Sequence, residues 1–374
     1  MTGVEIAGIG IHAFGRHGDK TQTDMGVTAV RDALRDAGID GRSFQAAFCG
    51  TAYGGVASGH RVLGALGLTG GPIVDVEAGC ASGAAALSLA ADAIRAGQYD
   101  TVLVFGVEKM PKGVIRSSFF APWQEKAGLT PAPAYFALRA QRLMADSKVT
   151  KQHLADVVVK NRANGAHNPD AMFRASVTAP EVLASRVVCE PLHLWMLCSP
   201  NEGAAAVVLR ASDAGVQVRA AVLRSHLPGY VLNEGTPMCG LMGAAPESPS
   251  TMAARAAYEQ AALGPDDLNV VECQDTDAAR ELLAYEELLL CQPGDCVKLL
   301  ESGDTKLGGC LPVNPSGGLL SKGEPLGASA LGQVVELTHQ LRGQCGARQV
   351  DGPLVALAHT IGRGANASAI ILSR

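Results

Sequence analysis

The chain has 374 residues, 47% of them hydrophobic and 18% charged, a balance that excludes a disordered polymer and supplies core for two or three folded units of about 150 residues each. The net charge is −5, with 31 basic and 36 acidic residues and no basic run, and aromatics make up only 4%, so duplex and single-stranded nucleic acids are both disfavoured as ligands. Met1 to Gly10 lacks the pattern of an export signal, and no stretch of about 20 uninterrupted apolar residues follows, so the expectation is a cytoplasmic protein without a membrane span. Its ten cysteines are then expected to be reduced, and since none forms a C-x-x-C pair no metal site is expected.

Val4 to Ile11 is a β-branched run ended by glycines and predicts a strand. A helix over 23–37 follows on the spacing of Val27, Val30, Ala33 and Leu34. After the Gly38-Ile39-Asp40-Gly41 turn, 44–48 and 73–76 read as short strands, the second ending just before Cys80. A helix over 82–96 and a strand over 101–105 complete this unit. Residues 110–200 change texture, because prolines recur and both tryptophans, Trp123 and Trp195, fall there. This segment reads as an excursion from the sheet. Gly203 to Leu209 is a buried strand, with 217–223 as its expected hairpin neighbour. From 251 the first order returns: helix 251–263, strand 268–273, helix 278–290, a glycine-rich stretch 302–318, helix 327–342 and strand 354–358.

Cys80-x-x-Gly83-Ala84 ahead of one helix and strand is echoed by Glu324-x-x-Gly327-Ala328 ahead of another pair, which marks an internal duplication. Two α/β halves of like order predict two sheets facing each other across a pseudo-twofold, with both strand-to-helix turns converging. Helix N-termini at such a place favour developing negative charge.

Cys80 stands at the end of a strand and the start of an Ala-rich helix, where unpaired N–H groups and the helix dipole lower a thiol pKa and make a nucleophile. The alternative is a small buried residue at a tight turn. Gly8-x-Gly10-x-x-Ala13 formally matches a dinucleotide fingerprint, but the polar stretch 12–20 stands where its helix should begin, and no acidic strand end follows. His359-Thr360-Ile361-Gly362 ends a strand in a glycine turn whose N–H groups could face an oxyanion, with His359 as a base or a core histidine. Lys322 and Arg363 read as phosphate contacts or as solvated charges.

With these residues in view the chain resembles the thiolase superfamily, in the branch akin to sterol carrier protein 2. The likeness runs nearly the whole length through 6–10, Cys80-Ala-Ser-Gly83, Val107-Glu-Lys-Met110, 202–209 and, most strongly, 313–327. It implies a duplicated five-layer αβαβα fold with two mixed sheets. The halves would be 1–109 with 200–240, and 241–374, with a loop domain at 110–199. It also implies a homodimer and an acyl-CoA substrate held as a thioester on Cys80, with coenzyme A as substrate or product and no permanently bound cofactor.

The resemblance further implies four catalytic loops, of which only the Cys80 loop is intact. Where this branch has His-Asp-Cys-Phe the chain reads Gln274-Asp275-Thr276-Asp277, and where it has Gly-His-Pro the chain reads Gly323-Glu324-Pro325. Thr360 replaces the second cysteine. The candidate set is therefore Cys80, Glu324, Gln274, His359 and the Gly362 N–H, with Asp277, Thr276 and Thr360 secondary. Gln274 can still donate an N–H to an oxyanion, and Glu324 is either an acid/base replacing histidine or a helix cap. The expected activity is forming or cleaving a carbon–carbon bond through a Cys80 acyl-enzyme. The alternatives are a retro-aldolase or acyltransferase subunit working with a small zinc-ribbon/OB-fold protein, or a non-catalytic scaffold subunit.

Overall fold

The structure, a computed structural model, describes residues 2–113, 115, 122–128, 131–227, 246–362 and 366–374. The chain opens with β1 (Val4–Gly15), α1 (Gln22–Asp36), β2 (Ala46–Gly50), α2 (Ser58–Ala65), β3 (Ile73–Val76), α3 (Ser82–Arg95) and β4 (Thr101–Lys109). An excursion follows with α4 (Pro122–Lys126), α5 (Ala132–Ser147), α6 (Lys151–Gly165), α7 (Ala179–Ala184) and the small hairpin β5 (Val187–Cys189) and β6 (Leu192–His193). Then come β7 (Glu202–Ala211), β8 (Val216–Ser225), α8 (Pro249–Ala261), β9 (Val270–Cys273), α9 (Ala278–Glu287) and α10 (Cys296–Glu301). The chain closes with α11 (Gly318–Lys322), α12 (Leu326–Arg342), β10 (Val355–Ile361) and β11 (Asn366–Ser373).

The expected two sheets are joined into one nine-stranded mixed sheet, ordered β3-β2-β4-β7-β1-β8-β11-β10-β9, beside the separate β5–β6 pair. Its first part, β3 to β1 (the first sheet below), meets its second part, β8 to β9 (the second sheet), through a two-residue pairing of Glu5 and Ile6 with Gln217 and Val216. Parallel pairs join β2 to β3 and β4, and β10 to β9, while the remaining neighbours run antiparallel. The sequence reading paired 217–223 with the strand before it. Instead β7 has both edges taken by β4 and β1, so β8 crosses over and zips along β11 of the second sheet.

α3 and α12 are buried on nearly every face, α3 through a largely apolar surface and α12 with Gln333, Glu336 and Gln340 buried among its apolar residues. They pack on each other and between strands of both sheets, α1 covers the first sheet, and α8 covers the second, which gives five layers. The small Ala and Gly residues of the central pair allow this close approach.

The proline-rich excursion holds two of the longer helices, α5 and α6. Pro131 and Pro133 sit at the start of α5, where a missing N–H breaks no helical bond, so they mark an N-terminus rather than irregular chain. Thr150 caps α6 by accepting from the His153 N–H. The excursion packs mainly on the second half, joining Tyr135, Leu154 and Val158 to one core with Leu282, Tyr285 and Leu320.

Candidate active site

Two turns of matching geometry carry the candidate residues. Cys80 follows Gly79 (φ +60°) and Glu324 follows Gly323 (φ +84°), left-handed positions that favour glycine. Each candidate stands two residues ahead of a central helix, Cys80 before α3 at Ser82 and Glu324 before α12 at Leu326. The helices meet through their first turns, where a β-carbon on Gly83 would lie 3.0 Å from the Gly327 carbonyl oxygen. The duplication thereby brings both turns to one place.

That place is a cavity of about 1090 Å³, whose wall includes Cys80, Cys198, Gln274, Thr276 and Glu324. Phe136, Phe173 and Trp195 of the excursion add the aromatic part of the wall. Trp123 is half exposed and stands apart from it, and Phe119 and Phe120 lie outside the described residues.

Glu324 is buried and held from several sides. Its Oε1 accepts from Gln274 Nε2 at 2.7 Å, and its Oε2 accepts from the Cys198 thiol at 3.4 Å. The Gln274 orientation is forced, because its oxygen accepts from the Ile361 N–H and only the amide nitrogen is left to face the carboxylate. The Glu324 N–H donates to Ser199 O at 2.9 Å, and the Cys198 N–H donates to Thr276 O at 2.9 Å, so the chain around Cys198 bridges the two loops. Burial pushes the Cys198 thiol well above its ordinary pKa, and the Glu324 carboxylate, Asp275 and Cys80 push it further. Cys198 is thus an S–H donor to Glu324 at neutral pH.

The other expected residues lie elsewhere. His359 is fully buried away from the cavity wall, with Nε2 2.9 Å from Ser250 Oγ, Nδ1 without a hydrogen-bond partner, and a pKa pushed well down by burial and by Arg280. Thr360 donates to Gln333 Oε1 at 2.9 Å, beneath the wall. The Gly362 N–H closes the β10–β11 hairpin on Asn366 O at 2.8 Å, so it is spent on the backbone and does not face an oxyanion here. Asp277 caps α9 and pairs with Arg139 of α5, tying the excursion to the second half. Thr276 alone of the secondary candidates reaches the cavity.

Lys322 is neither solvated nor available to phosphate, since it is buried on Glu272 at 3.2 Å; Arg363 lies outside the described residues. Among the described residues no disulfide joins two cysteines, no group of His, Cys, Asp and Glu is arranged to hold a metal ion, and no helix is long and apolar enough to cross a membrane. Two cavity residues escaped the sequence reading. Cys198 left only one trace, a cysteine just ahead of the strand at Glu202. Arg162 left none, because it reads as one more polar residue in the Lys160-Asn161-Arg162 run of a helix.

Comparisons with known proteins agree with this architecture. Residues 6–213 match the model of the thiolase N-terminal domain, and 243–374 that of the thiolase C-terminal domain-like family. The chain is 37% identical to sterol carrier protein 2 of Bos taurus, over 96% of this chain and 70% of that one. It is 35% identical to acetyl-CoA acetyltransferase of Methanothermobacter thermautotrophicus over the whole of both chains. A solved structure titled Ltp2-ChsH2(DUF35) aldolase superposes with a TM-score of 0.85 at 22% identity, covering 99% of this chain and 97% of that one. With both halves matched and the duplicated five-layer architecture in place, the chain belongs to the thiolase family, in the branch related to sterol carrier protein 2.

Proposed function

We propose that the protein forms or cleaves a carbon–carbon bond in an acyl-CoA substrate, with the acyl group carried on Cys80 and Glu324 moving the proton. The observation that carries this reading is that Cys80, at the head of α3, and Glu324, at the head of α12, line one cavity. The helix N-terminus favours the Cys80 thiolate. Coenzyme A enters as substrate or leaves as product. Glu324 takes the place of the absent histidines, with Gln274 and Cys198 orienting its two oxygens. The working assembly in this reading is a homodimer in the cytoplasm.

The test is acylation itself: intact-mass measurement after mixing with acetyl-CoA should show one acetyl group, mapped to Cys80 and lost in Cys80→Ala. No adduct with any acyl-CoA would rule out the covalent route.

A second reading is a retro-aldol cleavage in which the thioester stays on coenzyme A and Glu324 takes the hydroxyl proton. The loss of both loop histidines favours it, and the fold likeness to an aldolase complex makes a small zinc-ribbon/OB-fold partner worth seeking. Cleavage without an adduct, dependent on such a partner, would decide for this reading over the first and over a scaffold role.

A further inference from the structure

Helix α6 buries four polar side chains in one stretch, and three of them bond to the second half of the chain, although Asn161 Oδ1 is left without a partner. Lys160 pairs with Glu281 at 2.7 Å and donates to Val313 O, Asn161 donates to Asp275 and Glu281 at 2.8 and 2.6 Å, and Asn164 donates to Asn314 O at 3.0 Å. Arg162 is the exception. It is 7% exposed and lines the cavity that holds Cys80 and Glu324. Its Nε has no hydrogen-bond partner, and no ion pair reaches it among the described residues. Its guanidinium lies over the Phe173 ring, 4.0 Å from the centroid, which holds the group in place but leaves its in-plane N–H donors unmatched. Burial pulls its pKa down to about 10, so at neutral pH a buried cation faces the cavity without a counter-ion among the described residues.

We infer that Arg162 is the recognition site for a carboxylate on the acyl group, so that the substrates are acyl-CoA thioesters whose acyl chain bears a second, free carboxylate. The inference rests on the acyl-CoA reading above. A planar guanidinium fork matches a carboxylate in two parallel hydrogen bonds, and inside an apolar wall such a pair is strong because water does not compete. The cavity's own carboxylates do not serve: Glu324 is engaged by Gln274 and Cys198, and Glu77 is exposed and accepts from the Gly79 N–H. A coenzyme A phosphate is the other anion that could reach a cation here. A dianion bound mainly by one buried guanidinium among Phe136, Phe173 and Val177 would lose far more hydration than a carboxylate, so the acyl carboxylate is the better match.

The test compares succinyl-, glutaryl- and adipoyl-CoA with butyryl-, valeryl- and hexanoyl-CoA. Binding is measured by calorimetry on Cys80→Ala, which cannot be acylated, and acylation is followed by intact mass on the unaltered protein. The expected result is tighter binding of the carboxylate-bearing member at one chain length, by roughly tenfold to a hundredfold, the scale of hydrogen bonds to a charged group. Arg162→Met in the Cys80→Ala protein should erase that preference while binding of the uncharged member stays within about threefold, which also shows that the variant is folded. Equal binding of charged and uncharged members at every length overturns the inference. So does an equal loss for both members and for free coenzyme A in Arg162→Met, which would assign Arg162 to the phosphates. Preferential binding without any acylation of the unaltered protein would uphold Arg162 and reject the covalent route.

Discussion

Gly106 on β4 and Gly327 on α12 approach so closely that a β-carbon on Gly106 would lie 2.1 Å from the Gly327 carbonyl oxygen. A β-carbon on Gly327 would in turn lie 2.6 Å from Gly50 O, and the Gly327 N–H donates to the buried Glu108 carboxylate at 3.2 Å. This contact seats the head of α12 against the first sheet, and Glu324 stands three residues upstream of it. Gly106→Ala should therefore destabilise the protein by about 3 kcal/mol, the upper range for overpacking against rigid backbone. Chemical denaturation checks this, and a loss below about 1 kcal/mol would mean that the two elements can part without cost.

Cys80→Ser should abolish acyl-enzyme formation, because an unactivated hydroxyl is a far weaker nucleophile than a thiolate at a helix N-terminus. Stopped-flow release of coenzyme A measures it directly. Full turnover by the serine variant would exclude the covalent route.

Glu324→Gln should lower turnover by at least about a hundredfold while leaving the fold intact, since an amide still fits between Gln274 and Cys198 but neither takes up nor releases a proton at neutral pH. Steady-state kinetics in both directions are the measurement. Near-normal activity would reduce Glu324 to a helix cap.

Cys198 donates its S–H to the Glu324 carboxylate, which favours the ionised form of that group. Other charged or titratable groups about this pair, among the described residues, include Cys80 from the turn before α3, Asp275 from the loop after β9, and Glu77, Arg162 and Arg186 on the cavity wall. Cys198→Ala removes a donor, so protonation of Glu324 becomes easier and the acidic limb of the kcat/KM profile should move to higher pH. Cys198→Ser restores a donor and should return the limb toward its original place. A limb that stays fixed in both variants would show that the thiol does not act on Glu324.

His359 is buried and neutral, with a folded pKa well below the ordinary 6.5, so the unfolded chain binds the extra proton between the two values. The stability linked to this residue is complete above about pH 6.5 and falls as the pH drops toward the folded value, by up to about 1.4 kcal/mol per pH unit. His359→Gln should flatten that slope by up to one proton in denaturation series between pH 7.5 and 5.5. An unchanged slope together with a large loss of turnover would return His359 to the chemistry.

Much of this protein is legible in the sequence because its signals are local. The β-branched runs at Val4 and Thr101, the helical spacing of α1 and the matched Cys80-x-x-Gly83 and Glu324-x-x-Gly327 turns report strand, helix and duplication directly, since each rests on neighbours within a few residues. Cys80 and Glu324 could be named from that repeat alone. What the tertiary structure decided is which side chains with no local signature share their cavity. β8 joins the second sheet because β7 has no free edge. The Gly362 N–H is spent on a hairpin and His359 falls behind the wall, since register across β10 and β11 sets where each side chain and N–H points. Cys198 and Arg162 reach the cavity from an excursion more than a hundred residues before Glu324, because the buried bonds of Lys160, Asn161 and Arg139 dock that segment on the second half. Contacts of that sequence separation arise from long-range packing and burial, which no spacing along the chain encodes.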